Sequence, residues 1–97
     1  MNNKKITKIE FLRDFIIKNI SEGGILIEAT YSLPLNSTHF LRISYKELDF
    51  SIKGIVKRIE KDIRNDKEIF KIAFEFIEVN SKQRNNLKEF INLVKKG

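Results

Sequence analysis

The chain has 97 residues, 41% hydrophobic and 33% charged, which is the apolar content of a globular domain with a single core and little interior left for a large cofactor cavity, so any ligand is expected at the surface. Cysteine is absent and His39 is the single histidine, which excludes disulfides, thiolate zinc sites, cysteine nucleophiles and a histidine-rich metal site. The 19 lysines and arginines against 13 acids leave a net charge of +6; that balance favours polyanionic partners, while mixed-sign stretches such as Lys57-Arg58-Ile59-Glu60-Lys61-Asp62 read as a solvated face.

Met1 to Lys5 is followed by no long apolar stretch, and runs such as Phe15-Ile16-Ile17 are too short for a signal peptide or a membrane span, so a soluble cytoplasmic protein with no membrane partner is expected. Ile6, Ile9, Phe11, Leu12, Phe15, Ile16 and Ile17 fit neither the helical nor the strand template. Asp14 to Ile20 reads as a strand preceded by a short helix or a further strand. Residues 1–13 form an N-terminal segment and residues 14–97 the domain proper.

From Ile25 to Val79 the hydrophobic period is mostly two, the pattern of strands with one wet face. Ile25, Ile27, Ala29 and Tyr31 alternate with Leu26, Glu28 and Thr30, and Leu33-Pro34-Leu35-Asn36-Ser37 supplies turn chemistry. Leu41, Ile43 and Tyr45 form the next strand, and Lys46 to Asp49 reads as a connection. Phe50 and Ile52 then share a face until Gly54 interrupts, after which Ile55, Val56 and Ile59 lose the phase, as at a bulge or bend. Asp62 to Lys67, with Asn65-Asp66, reads as a hairpin turn, and Phe70, Ile72, Phe74 and Phe76 line one face of the clearest core strand. At Asn80 the period changes. Asn80 with Gln83 makes a capping pair, and Leu87, Phe90, Ile91 and Val94 recur at helical spacing, predicting a helix from Ser81 to Val94 that plugs the sheet.

No enzyme signature is present: there is no G-x-S-x-G, no G-x-x-x-x-G-K-S/T and no H-E-x-x-H. Carboxylate pairs such as Glu60 and Asp62 follow from alternation on an exposed strand, and His39, between Thr38 and Phe40, reads as an ordinary histidine. A non-enzymatic protein with no catalytic residue, metal or cofactor is expected. One segment stands apart, Asn19-Ile20-Ser21-Glu22-Gly23-Gly24. Asn and Ser present an amide and a hydroxyl at a loop tip, and paired glycines permit positive φ and the close approach of a flat ligand.

With its flanking strands, Ile17 to Ile27 resembles the Asp/Asn-x-Ser-x-x-Gly motif of the PilZ domain family. Leu33 to Ser37 is similar to the turn that follows in that family, Ile52 to Val56 to its glycine-valine strand, Ile72 to Phe76 to its penultimate strand, and Ser81 to Ile91 to its closing helix. The resemblance implies an all-β fold with a C-terminal helix, a six-stranded antiparallel split β-barrel plus one α-helix, and a receptor role for the bacterial second messenger cyclic di-GMP. It further implies that Asn19, Ser21 and Gly24 bind the nucleotide.

The family's second element, an N-terminal R-x-x-x-R motif, has no match here. Upstream of Asn19 the one arginine is Arg13, followed four residues later by Ile17, and the basic pair with that spacing is Lys4 and Lys8. Lysine supplies charge without the planar fork of a guanidinium. Lys4, Lys8 and Arg13 are therefore the candidate phosphate contacts of a degenerate site, and residues 1–13 stand where the arginine-motif loop is expected. Two readings follow: a cyclic di-GMP receptor or adaptor that signals through protein contacts, with a partner in a motility, pilus or surface-behaviour pathway, or a PilZ-like interaction module that self-associates or holds a partner without binding the nucleotide. A single-stranded nucleic-acid binder is disfavoured, because the best aromatic series, Phe70 to Phe76, is needed for the core.

Overall fold

The computed structural model describes residues 10–96. Five strands and a helix follow in chain order: β1 (Ile16–Ile20), β2 (Gly24–Ala29), β3 (Thr38–Tyr45), β4 (Leu48–Arg64), β5 (Lys67–Ile77) and α1 (Ser81–Lys96). The strands form one antiparallel sheet in the order β1-β2-β5-β4-β3. The described residues thus form five strands, one fewer than the six expected. Among the described residues the segment before β1 contributes only a parallel bridge between Phe11 and Phe40, with the Leu12 N–H donating to the Phe40 carbonyl at 2.8 Å. Asp14, at φ 54, then turns the chain away from the β3 edge and toward the β1 edge. This crossing joins the two edges of the sheet and leaves a half-closed barrel.

Alternation along the strands builds the core. Ile25 and Ile27 of β2, Leu41 and Ile43 of β3, Ile52 and Val56 of β4, and Ile72, Phe74 and Phe76 of β5 are all buried. Each fully buried large apolar side chain contributes roughly 1.5–3 kcal/mol. The helix closes the open side with Leu87 and Phe90, both buried, and Phe90 meets the Tyr45 ring edge-on at 5.7 Å. Asn80 and Gln83 form a reciprocal cap: the Gln83 N–H donates to Asn80 Oδ1 at 2.8 Å and the Asn80 N–H to Gln83 Oε1 at 2.9 Å. Gln83 Nε2 also donates to the Ser51 carbonyl at 2.9 Å, which ties the helix start to β4. Val94 stays exposed, so the stripe covers the sheet only as far as Ile91.

Several boundaries differ from the sequence expectation. Leu48 and Asp49 belong to β4, because β3 and β4 are joined by the two-residue turn Lys46-Glu47 and Asp49 is held by Arg42 through bonds of 2.9 and 2.6 Å. Gly54 does not interrupt β4. It keeps the phase of Ile52 and Val56, and a Cβ there would come within 3.2 Å of the Phe74 side chain. The phase slips two residues later, at a bulge between Val56 and Arg58, and β1 has a matching irregularity between Ile17 and Asn19. The β4–β5 turn is shorter than the expected Asp62 to Lys67, because Asp62 to Arg64 pair within β4 and Lys67 opens β5; it consists of Asn65 and Asp66, both left-handed at φ 52 and 66, the twist that a two-residue hairpin favours. Tyr31 lies beyond the end of β2, and its hydroxyl donates to the Arg13 carbonyl.

Candidate functional site

The turn between β1 and β2 is held from several directions. The Ile20 N–H donates to Asn19 Oδ1 at 2.9 Å, the Ser21 N–H to the Gly24 carbonyl at 2.9 Å, and the Gly23 N–H to Ser21 Oγ at 3.3 Å. From β5 the Phe76 N–H donates to the Gly23 carbonyl at 2.9 Å. These bonds occupy one lone pair on each of the Asn19 and Ser21 oxygens and leave the Asn19 Nδ2 hydrogens and the Ser21 hydroxyl hydrogen free as donors. The turn can therefore donate to acceptors on a ligand.

The expected reason for the glycines is corrected by the backbone: neither Gly23 nor Gly24 has a positive φ. Gly24 is needed for proximity instead. A Cβ on it would sit 2.3 Å from the Phe74 carbonyl oxygen, whereas one on Gly23 would meet nothing within 4 Å. The close approach that Gly24 allows is therefore between β2 and β5.

Around the turn lies an open depression of about 200 Å³, whose lining includes Asn19, Ser21, Gly24, Leu26 and Ala73. On the other side of β1 a groove of about 300 Å³ runs between Ile17–Ile20 and Phe90, Ile91, Val94 and Lys95 of α1. Asn19, Ser21 and Gly24 are thus brought together as the motif spacing required. Leu26 and Ala73, which the sequence reading did not assign to the site, line the depression beside them; only the register of three strands reveals this.

Arg13 is not brought to the turn. Its carbonyl accepts from Tyr31 past the end of β2, beside the Ile16–Glu28 pair, while the turn closes at Ile20–Ile25. The length of β1, ~13 Å at ~3.3 Å per residue, separates the two ends. Lys4 and Lys8 lie outside the described residues.

Elsewhere two polar pairs have structural partners. Glu28, the one buried charged residue among those described, takes Arg64 in two bonds of 2.6 and 3.2 Å, and that bonding holds its carboxyl below the usual carboxylate range. His39 shares a 2.8 Å hydrogen bond with Ser37 Oγ and packs edge-on against Phe74 at 6.2 Å, and its burial lowers its pKa. Ser37 Oγ also lies 2.6 Å from the Pro34 carbonyl, so this serine–histidine pair braces a turn. Among the described residues no three histidine or carboxylate side chains are grouped to hold a metal ion.

A model of the PilZ domain family matches residues 5–93, from before β1 into the last turn of α1. The chain belongs to the PilZ domain family. The half-closed antiparallel sheet with its C-terminal helix is a PilZ fold in five strands. PilZ domains form a family of the cyclic di-GMP-binding type and are typically non-enzymatic. Comparison with curated proteins and with solved structures gave no significant match. Among the described residues no helix of this PilZ domain is long and apolar enough to cross a membrane.

Proposed function

We propose that this PilZ domain is a non-enzymatic, cytoplasmic signalling adaptor with a reduced cyclic di-GMP site, passing its signal on through protein contacts in a motility, pilus or surface-behaviour pathway. The observation that carries the reading is the locked Asn19–Gly24 turn, which sets an amide and a hydroxyl at the edge of an open depression. A cyclic dinucleotide suits such donors, because its base edges and two phosphates are rich in acceptors. The site is reduced because Arg13 lies at the other end of the β1–β2 hairpin and no arginine pair precedes Asn19. A charge-assisted hydrogen bond is worth about 1.5–3 kcal/mol, so two missing arginine contacts weaken binding by about a hundredfold or more.

Titration calorimetry with cyclic di-GMP tests the reading. The natural chain is expected to bind with a dissociation constant above about 1 μM, and Asn19→Ala and Ser21→Ala each to weaken it by about 0.5–1.5 kcal/mol. Tighter binding would show that the site is complete. A second reading is favoured by one observation, that Gly24 is demanded by the Phe74 carbonyl whatever the ligand. On that reading the turn is kept for folding alone, and no heat of binding appears in a folded protein.

A further inference from the structure

The residue left over by the reading above is Arg58, and the register places it opposite the turn. Asn19 pairs with Leu26, Leu26 with Ala73, and Ala73 with Arg58, so one row crosses four strands. The neighbouring row, Ile20–Ile25–Phe74–Val56, points into the core with Ile25, Phe74 and Val56 buried. The row with Asn19 and Arg58 therefore faces outward; Asn19, Leu26 and Ala73 line the depression, and Arg58 stands next in the row, beyond Ala73.

Two bulges produce this alignment. Lys18 is the extra residue in β1 and Lys57 the extra residue in β4, and both insertions flank the same row. Bulges re-aim side chains and are concentrated beside functional sites. Three strand spacings of ~4.8 Å separate the Asn19 and Arg58 backbones, ~14 Å in all, and a long arginine side chain can reach back over the small Ala73.

We infer that Arg58 is a phosphate-binding residue, so that a cyclic dinucleotide lies across the outer face of the sheet with a base at the Asn19–Gly24 turn and a phosphate at the Arg58 guanidinium. The inference rests on the cyclic di-GMP reading and adds to it a cation supplied by the sheet itself. The guanidinium fork matches two phosphate oxygens. Arg58 is free enough to do this: its contact with Glu60 is 3.5 Å long with the side chains 64% and 60% exposed, and exposed pairs of this kind hold little energy. The other acid close by, Glu75, is partnered by Lys57 at 3.8 Å, so the bulge lysine offsets the charge that would repel a phosphate.

The test is calorimetric titration of cyclic di-GMP into the natural chain, Arg58→Ala, Arg58→Lys and Asn19→Ala, at low and at physiological salt. Arg58→Ala is expected to weaken binding about tenfold or more and to flatten its salt dependence, because the phosphate contact is the screened one. Arg58→Lys should keep the salt dependence and recover only part of the affinity. Asn19→Ala should lose affinity with the salt dependence intact. Arg58 is exposed and its replacement should leave the melting temperature within about a few degrees. If Arg58→Ala binds as the natural chain does while Asn19→Ala is impaired, the assignment of Arg58 is wrong and the nucleotide reading stands. Weaker binding with an unchanged salt dependence would also overturn the assignment, since it marks an indirect effect. If the natural chain itself gives no heat, the nucleotide reading and the assignment fall together.

Discussion

The two glycines of the turn make a matched pair for mutation. Gly24 lies where β2 meets β5, and a Cβ on it would stand 2.3 Å from the Phe74 carbonyl oxygen and 3.4 Å from the carbonyl carbon, both backbone atoms that cannot rotate away. Bringing that contact to even 3.0 Å moves one strand by about 0.7 Å, a strain in the range of overpacked sites, about 1–3 kcal/mol. Gly23 has open space and no positive φ. There alanine only narrows the unfolded ensemble, which is worth about 0.4–1 kcal/mol in favour of folding. Gly24→Ala should therefore melt lower than the natural chain and Gly23→Ala the same or higher, with a gap of about 6–30 °C between them at ~4–8 °C per kcal/mol. Thermal and urea unfolding followed by circular dichroism measure the gap. Equal stability of the two variants, or a more stable Gly24→Ala, would refute the claim that Gly24 is required by the β2–β5 contact.

Phe74→Ala should cost about 3–5 kcal/mol, because the ring is buried against Gly54 and His39 at the centre of the sheet; an unchanged melting temperature would mean that the core face is misassigned. The carboxyl of Glu28 sits below its ordinary 4.5 because Arg64 bonds the ionised form, so its stabilising effect is full above pH 4.5 and is lost as the pH falls through the lower folded value. Arg64→Ala should accordingly melt below the natural chain at neutral pH, and the difference should shrink in acid; a constant difference down the pH series would contradict this. His39 is shifted in the same direction, by burial rather than by a charged partner. Burial favours its neutral form, so the unfolded chain gains a proton that the folded chain resists, stability falls as the pH drops below 6.5, and His39→Gln should remove that part of the slope.

What the sequence made legible follows from which interactions are local. The Asn80–Gln83 cap, the Asn65-Asp66 turn and the alternation of Ile72, Phe74 and Phe76 each involve residues within a few positions of one another, and all three stand in the structure where the pattern put them. Gly54 was misleading because its neighbour is Phe74, which arrives from another strand. The phase slip between Val56 and Arg58 was visible as a loss of period, but its meaning depends on the partner register in β5. The segment before β1 mixed apolar residues without a period because Phe11 bridges to β3 whereas Ile16 pairs on β2, at opposite edges of the sheet. The proposed site divides in the same way. Asn19, Ser21 and Gly24 are neighbours in the chain and stand out there through their resemblance to a family motif, whereas Leu26, Ala73 and Arg58 line up with them only through four paired strands.

The central claim is that the Asn19–Gly24 turn and the outer row beside it form a nucleotide site. A titration of the isotope-labelled protein with cyclic di-GMP, followed by amide chemical shifts, tests it most directly, since it registers even weak binding and says where it occurs. The account predicts shifts that grow with ligand and concentrate at Asn19 to Gly24, Leu26, Ala73 and Arg58, with little change at the Lys46-Glu47 turn or the Asn65-Asp66 turn. Shifts confined to α1 or the β3 edge, or none at ligand concentrations near about 1 mM, would contradict it.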